Sequence, residues 1–254
     1  MPLVPPLDEE QFNQRVRAAD ADVREYTKAP QASALVKTAA YHPAFLQNLA
    51  AEGLTTMVSS RLRRRCKEIL AVAISMTNGC KYCTTAHSTV LRKMFKLEIA
   101  EIVQIGALCA HFNGLAALEK ALQIRADGST GDLWQDASRQ PVPKEISEAY
   151  SEVPIYYRIL AMRAESLTLL WQRDRAVMKE GEFTEIERHL IGLGVAATRA
   201  AEYGVGWHSR CLIELGLDRL DILEAIMVID AFNKNSKFTD GMQLDLGVWK
   251  SSEA

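Results

Sequence analysis

RRRCKEILAVAISMTNGCKYCTTAHS, residues 63–88, decides the fold. Its apolar residues Ile69, Leu70, Ala73 and Ile74 recur three and four positions apart, the period of one helix face. The same spacing returns at Ile99, Ile102, Val103 and Ile105, and no stretch alternates as a half-buried strand does. Helices are expected near 8–28, 32–57, 61–77, 79–95 and 98–125, then near 144–180, 184–200, 202–215 and 218–234, some of the longer ones broken internally. The class is all-α.

The same stretch holds the chemistry. Asn78 suits an N-cap for a helix beginning at Gly79, which sets Cys80 in the first turn, where the helix dipole and free N–H groups favour a thiolate. Cys80, Cys83 and His87 are spaced i, i+3 and i+7, on one face. A thiol beside an imidazole is an activated nucleophile, and a second thiol one turn away can resolve what the first one forms. Glu68 joins the group by geometry. If the helix ending near Thr77 and the next one pack antiparallel, Glu68 and His87 each lie about 9.5 residues, or roughly 14 Å, from the turn between them. The carboxylate then orients the imidazole. Spacing leaves both sulfurs open as the attacking one: the helix N-terminus favours Cys80, and His87, one turn on, favours Cys83. Zinc is the rival use of two cysteines and a histidine, but a structural zinc site draws ligands from separate turns and needs a fourth, so no metal is expected.

Sliding the chain over itself by 121 residues sets KYCTTAHS (81–88) on EYGVGWHS (202–209), so that Tyr82 meets Tyr203, His87 meets His208 and Ser88 meets Ser209. AHFN near 110 resembles AFN at 231–233 after a one-residue slip. The chemistry is not duplicated: Cys80 falls on Ala201, Cys83 on Gly204 and Glu68 on His189. Between the halves lies DGSTGDLWQDASRQPVP, rich in Gly, Ser, Asp and Pro. The expected organisation is a helical unit over 1–126, a linker over 127–143 and a second unit over 144–254. His208, with Glu202 and Trp207 nearby, forms a possible second polar site.

Thirty basic against thirty-two acidic residues leave a net charge of −2, which gives no overall pull toward nucleic acid or an anionic membrane. Apolar runs such as ILAVAI at 69–74 fall far short of the roughly 20 residues of a membrane span, and MPLVPPLDEEQF lacks the basic start and apolar core of an export signal. Five cysteines, an odd number, fit a reducing cytoplasm better than a disulfide framework. Cys66, Cys109 and Cys211 read as small buried residues, and RLRRR at 61–65 as a solvated face with one arginine open to use at an interface or for an acidic partner.

Glu68, then Cys80-Lys-Tyr-Cys83 twelve residues on, then His87, resembles the signature of the alkylhydroperoxidase AhpD-like group of the carboxymuconolactone decarboxylase family, most closely over 61–115. The second half is similar to cysteine-free, decarboxylase-like members. The resemblance implies an all-helical fold of two tandem units and thiol-dependent reduction of a hydroperoxide, with Cys83 as the attacking thiolate, Cys80 as the resolving thiol and Glu68 with His87 as proton relay. It also implies no bound cofactor, an external dithiol such as a lipoylated protein as reductant, and a homo-oligomer, dimer or trimer. Tyr82 stands where the best-known members of the group carry a histidine and, with Asn78, is expected to support the relay. Two other functions stay open: a decarboxylase or lactone-handling enzyme, and a non-catalytic redox sensor or interaction module.

Overall fold

The computed structural model describes residues 2–58 and 61–244. Among them are twelve α-helices and no strand: α1 Gln14–Thr27, α2 Ala34–Ala39, α3 Pro43–Val58, α4 Arg64–Asn78, α5 Lys81–Phe95, α6 Ile99–Ala121, α7 Lys144–Ala149, α8 Ile155–Leu160, α9 Ala164–Lys179, α10 Glu185–Thr198, α11 Glu202–Glu214 and α12 Arg219–Gly241. Helices opening at Ala34, Pro43, Arg64 and Lys81 have counterparts opening at Ile155, Ala164, Glu185 and Glu202, each 121 residues on. The repeat is therefore a repeat of structure, helix for helix. The expected helices over 32–57 and 144–180 are each broken, at 40–42 in one and at 150–154 and 161–163 in the other.

The chain divides into two compact units that do not follow the sequence halves. Met1–Lys96 and Arg219–Ala254 form the first, Leu97–Asp218 the second. Compact packing thus departs from the expected division at 126, because the last helix of each repeat packs with the other repeat's helices. In the first unit α12 lies on α3, α4 and α5; in the second, α6 lies on α9, α10 and α11. Polar pairs fix the choice. Lys67 of α4, fully buried, is paired with Glu224 of α12, Arg61 with Asp221 at 3.0 Å, and Asn78 donates to Asn233 at 2.9 Å. In the second unit Arg199 donates to Asn113 at 2.6 Å, and Gln104 to the carbonyl of Glu180 at 2.8 Å.

Residues 127–143, expected as a linker or a long loop, are a long loop that is tied down. They form two 3-10 turns, Asp132–Trp134 and Ala137–Arg139, and Ala137 is buried in the second unit's core with Ile146, Tyr156, Tyr157 and Leu167. A methyl-sized side chain fits there, and its burial ties the segment down.

In each unit one helix is buried nearly all round, as a central helix must be. In the first it is α4, from Cys66 to Ser75; in the second α10, from Leu190 to Ala196. Each is followed by a sharp reversal into its partner. α4 stops at Gly79, whose φ of +74° lies in the left-handed region where a residue without Cβ is favoured, and the Cys80 amide returns to the Ser75 carbonyl at 3.0 Å. α6 is long and apolar enough by itself to cross a membrane, yet it carries His111 and Glu119 to polar partners inside the second unit.

Glu224→Gln removes the carboxylate charge facing buried Lys67 and is expected to cost about 3–5 kcal/mol in urea unfolding. A loss below about 1 kcal/mol would show that the pair does not hold α12 in place.

Candidate functional site

The reversal at Gly79 sets the site. α4 runs through Asn78, so Asn78 is the last residue of that helix and not the cap of the next one. Cys80 itself is the N-cap of α5, its sulfur accepting the Cys83 N–H at 3.3 Å. Asn78 instead ties the turn to α12 through Asn233. With α4 and α5 antiparallel, Glu68 and His87 come level as the geometry predicts: His87 Nδ1 lies 2.7 Å from Glu68 Oε2.

Glu68 is fully buried. Burial raises its pKa, but His87 and then Arg64 outweigh it with charge and hydrogen bonds, and the net result lies below the usual carboxylate value. Arg64, read from the sequence as surface, contacts Glu68 Oε1 through Nε at 2.7 Å and is anchored by the Met57 carbonyl at 3.1 Å. An ionised carboxylate only accepts, so His87 Nδ1 carries the hydrogen and Nε2 is the ring nitrogen left for chemistry. Phe232 of α12 stands edge-on to the ring at 4.6 Å and holds its plane.

The two thiols are deeply buried, Cys80 at 1% and Cys83 at 4% exposure, under Ala34, Tyr82 and Leu244. Thr239 of α12 places Oγ1 at 3.0 Å from Cys80 Sγ and 3.3 Å from Cys83 Sγ. The hydrogen bond from Cys83, opposed by burial and helped by Thr239 and the Cys83 amide, lowers the Cys80 pKa to about 6. Cys83 moves the other way: its hydrogen bond to Cys80, burial and the neighbouring charge keep its proton on. The pair thus carries one negative charge at neutral pH, resting on the helix cap. The resemblance assigns attack to Cys83, the sulfur that here holds its proton.

Tyr82 is buried, and its hydroxyl accepts the Leu35 amide at 3.3 Å, which ties α5 to the start of α2. A cavity of about 120 Å³ adjoins this group, lined on α5 by Tyr82, Ala86, His87 and Val90 and across from them by Leu49, Met57 and Phe232. Cys83 lies one turn before Ala86 and His87 on α5, behind the cavity lining and packed with Ala34, Tyr82 and Leu244.

In the second unit the counterparts take a different form. His189 Nδ1 lies 3.0 Å from His208 Nδ1, in the place of Glu68 and His87, and Phe112 stands edge-on to His208 at 4.8 Å as Phe232 does to His87. Burial lowers the His189 pKa to about 4 and that of His208 well below its ordinary value, so both rings are neutral. Gly192 makes room: a Cβ there would come within 2.3 Å of the His208 ring. Of the expected group, Glu202 is exposed in the first turn of α11, Trp207 stacks with Tyr150 and Tyr203, and it is His189 that meets His208. Glu119 of α6 caps α11, accepting from the amides of Tyr203 at 2.8 Å and Gly204 at 2.9 Å. Alongside lies a network unseen in the sequence: Asp174 takes His111 Nε2 at 3.0 Å and the Tyr150 hydroxyl, at the edge of a cavity of about 240 Å³ that also reaches His189 and Cys211.

Burial pushes the Cys109 thiol up to about 12 and Cys211 to about 11; Cys66 and Cys109 are buried as expected, whereas Cys211 is only half-buried, at the cavity of about 240 Å³. Among the described residues no group of three or more His, Cys, Asp or Glu is placed to hold a metal ion.

A family model described as the carboxymuconolactone decarboxylase family matches the chain twice, over residues 43–127 and 164–244. No curated protein and no solved structure matches it.

The Cys80 pKa is depressed from an ordinary value near 9, so the thiolate persists above about pH 6 in the folded protein. Its contribution to stability is complete above about pH 9, shrinks below that and is gone once pH falls through about 6. Absorbance at 240 nm is expected to rise through a midpoint near pH 6 in the native protein and to lose that transition in Cys80→Ser. A first thiolate transition above pH 8 would contradict the assignment.

Proposed function

The chain belongs to the carboxymuconolactone decarboxylase family, as two family segments in tandem, and we propose that it is a thiol-dependent reductase of hydroperoxides acting through Cys80 and Cys83. One observation carries the reading. A dithiol bearing one negative charge caps α5, and the Glu68–His87 pair sits one turn on, beside a cavity.

In this mechanism the hydroperoxide enters on the His87 side, and Cys83 attacks, the role that the resemblance to the AhpD-like group implies for the sulfur one turn before His87. Its proton passes to the Cys80 thiolate, which lies within hydrogen-bond reach. The Cys83 sulfur forms a bond to the terminal oxygen, the O–O bond breaks, and the alkoxide takes a proton that His87 Nε2 has accepted from solvent, leaving as an alcohol. Cys80 then gives its proton to His87 and attacks the Cys83 sulfenic acid; the S–S bond forms, the S–O bond breaks, and hydroxide takes that proton to leave as water. Two thiols and one hydroperoxide thus become a disulfide, an alcohol and water. An external dithiol, such as a lipoylated protein, returns the disulfide to thiols by exchange, with no bound cofactor, in a reducing cytoplasm and in a homo-oligomer.

A second reading, a decarboxylase or lactone-handling activity, draws on the neutral His189–His208 pair beside the cavity of about 240 Å³. It predicts turnover that survives loss of both cysteines.

Consumption of cumene hydroperoxide with dihydrolipoamide tests the first reading. The native protein is expected to turn over. Cys83→Ser should abolish turnover, Cys80→Ser should stop after one equivalent with a sulfenic acid on Cys83 that dimedone traps, and His87→Asn should slow turnover by about 10²- to 10⁴-fold. A native protein that loses its thiols once and stops would be a sensor. Unchanged turnover in Cys83→Ser would remove the dithiol from the mechanism.

A further inference from the structure

The dithiol sits in the first repeat, but the hydroxyl nearest to both sulfurs comes from the last helix of the second. Thr239 Oγ1 is 3.0 Å from one sulfur and 3.3 Å from the other, while its own hydrogen has two backbone acceptors, Asn235 O at 2.9 Å and Ser236 O at 3.2 Å. A hydroxyl has one hydrogen and two lone pairs. Donating to the backbone, it accepts from a thiol; turned toward the sulfurs, it donates to a thiolate.

The second unit shows independently what this place in the fold holds. With the one-residue slip between the last helices, Glu119 occupies the position of Thr239, as Phe112 does that of Phe232. There the carboxylate caps the helix directly, taking the amide of Gly204, the counterpart of Cys83. In the first unit the Cys83 amide goes to the Cys80 sulfur. The same helix end therefore meets an acidic group in both units, a carboxylate from the last helix in one and a sulfur of its own in the other. Where the anion is the helix's own sulfur, the last helix brings a neutral donor in place of a second charge.

We propose that Thr239 is a positioning residue for the dithiol: its hydroxyl holds the negative charge on Cys80 at rest and relays the Cys83 proton to Cys80 when Cys83 attacks. The relay moves one proton from Cys83 sulfur to Oγ1 and one from Oγ1 to Cys80 sulfur, so the pair's charge is unchanged. The assignment rests on the dithiol being the reactive group. The titratable groups that act on the pair are Tyr82 on α5 and Asp240 on α12, and the Asp240 charge opposes a thiolate at Cys80. Neither of them bridges both sulfurs as Thr239 does.

The test compares Thr239→Val, which keeps the shape and loses the hydroxyl, with Thr239→Ser, which restores it. Thiolate absorbance at 240 nm is followed against pH, and the site of carboxymethylation by iodoacetamide is mapped by peptide mass. The valine variant is expected to move the thiolate midpoint up by about one pH unit or more and to lower the share of label on Cys80; the serine variant is expected to return both to native. A valine variant that titrates and labels as native overturns the proposal, and so does a serine variant that shifts as far as valine, since the effect then comes from packing. Neither readout involves a peroxide. A protein without peroxidase turnover therefore still tests Thr239, and a peroxidase whose titration ignores Thr239→Val loses this proposal alone.

Discussion

A lysine ammonium taken fully out of water costs several kcal/mol unless a carboxylate comes with it. Lys67 is such a lysine, on the central helix of the first unit, and its carboxylate, Glu224, is supplied from 157 residues further along the chain by α12. The α12 side of the candidate site follows from that demand. Once Glu224 is drawn to α4, the rest of α12 lies along the α4–α5 hairpin. Phe232 comes to the edge of His87, Asn233 to the turn at Asn78, and Thr239 to the sulfurs. The buried ion pair is therefore a register device as much as a source of stability. A shift of α12 by one residue would turn Thr239 about 100° away from the thiols.

The two units show one scaffold under two sets of demands. Both have a central helix, a sharp reversal, a second helix with its first amides capped by an acidic group, and an aromatic ring edge-on to a histidine. In the first unit an ionised carboxylate backs the histidine, which prepares it to accept and return a proton. In the second another neutral imidazole does so, and burial keeps both uncharged. The second reversal passes through Ala200 at φ +50°, a left-handed conformation that Gly79 adopts more easily in the first.

Much of this was legible in the sequence wherever the signal was local. The helical period gave the class, the 121-residue offset gave the repeat, and two helices joined by a tight turn were enough to bring Glu68 to His87. The same turn was misread in its details. Gly79 is a stop for α4, so Asn78 closes that helix and Cys80 becomes the cap of the next. Arg64 lay in a run of basic residues and looked solvated, although its guanidinium serves a buried carboxylate. Thr239, Glu119, and the meeting of His111 with Asp174 left no trace in the sequence, because each partner lies 63 or more residues away and nothing in helical periodicity says which hairpin a helix will lie against. For that reason the compact units divide at the exchanged helices, while the repeats divide at the loop.

That exchange changes what selection sees. Each compact unit is completed by the last helix of the other repeat, and one chain supplies both loans. The half without the cysteine pair is free to vary around its own hairpin, but not along α12, whose side chains serve the other half's sulfurs. Within one gene, neighbouring segments of the second repeat therefore answer to different chemistries, and a substitution at Thr239 belongs by inheritance to one repeat and by consequence to the other.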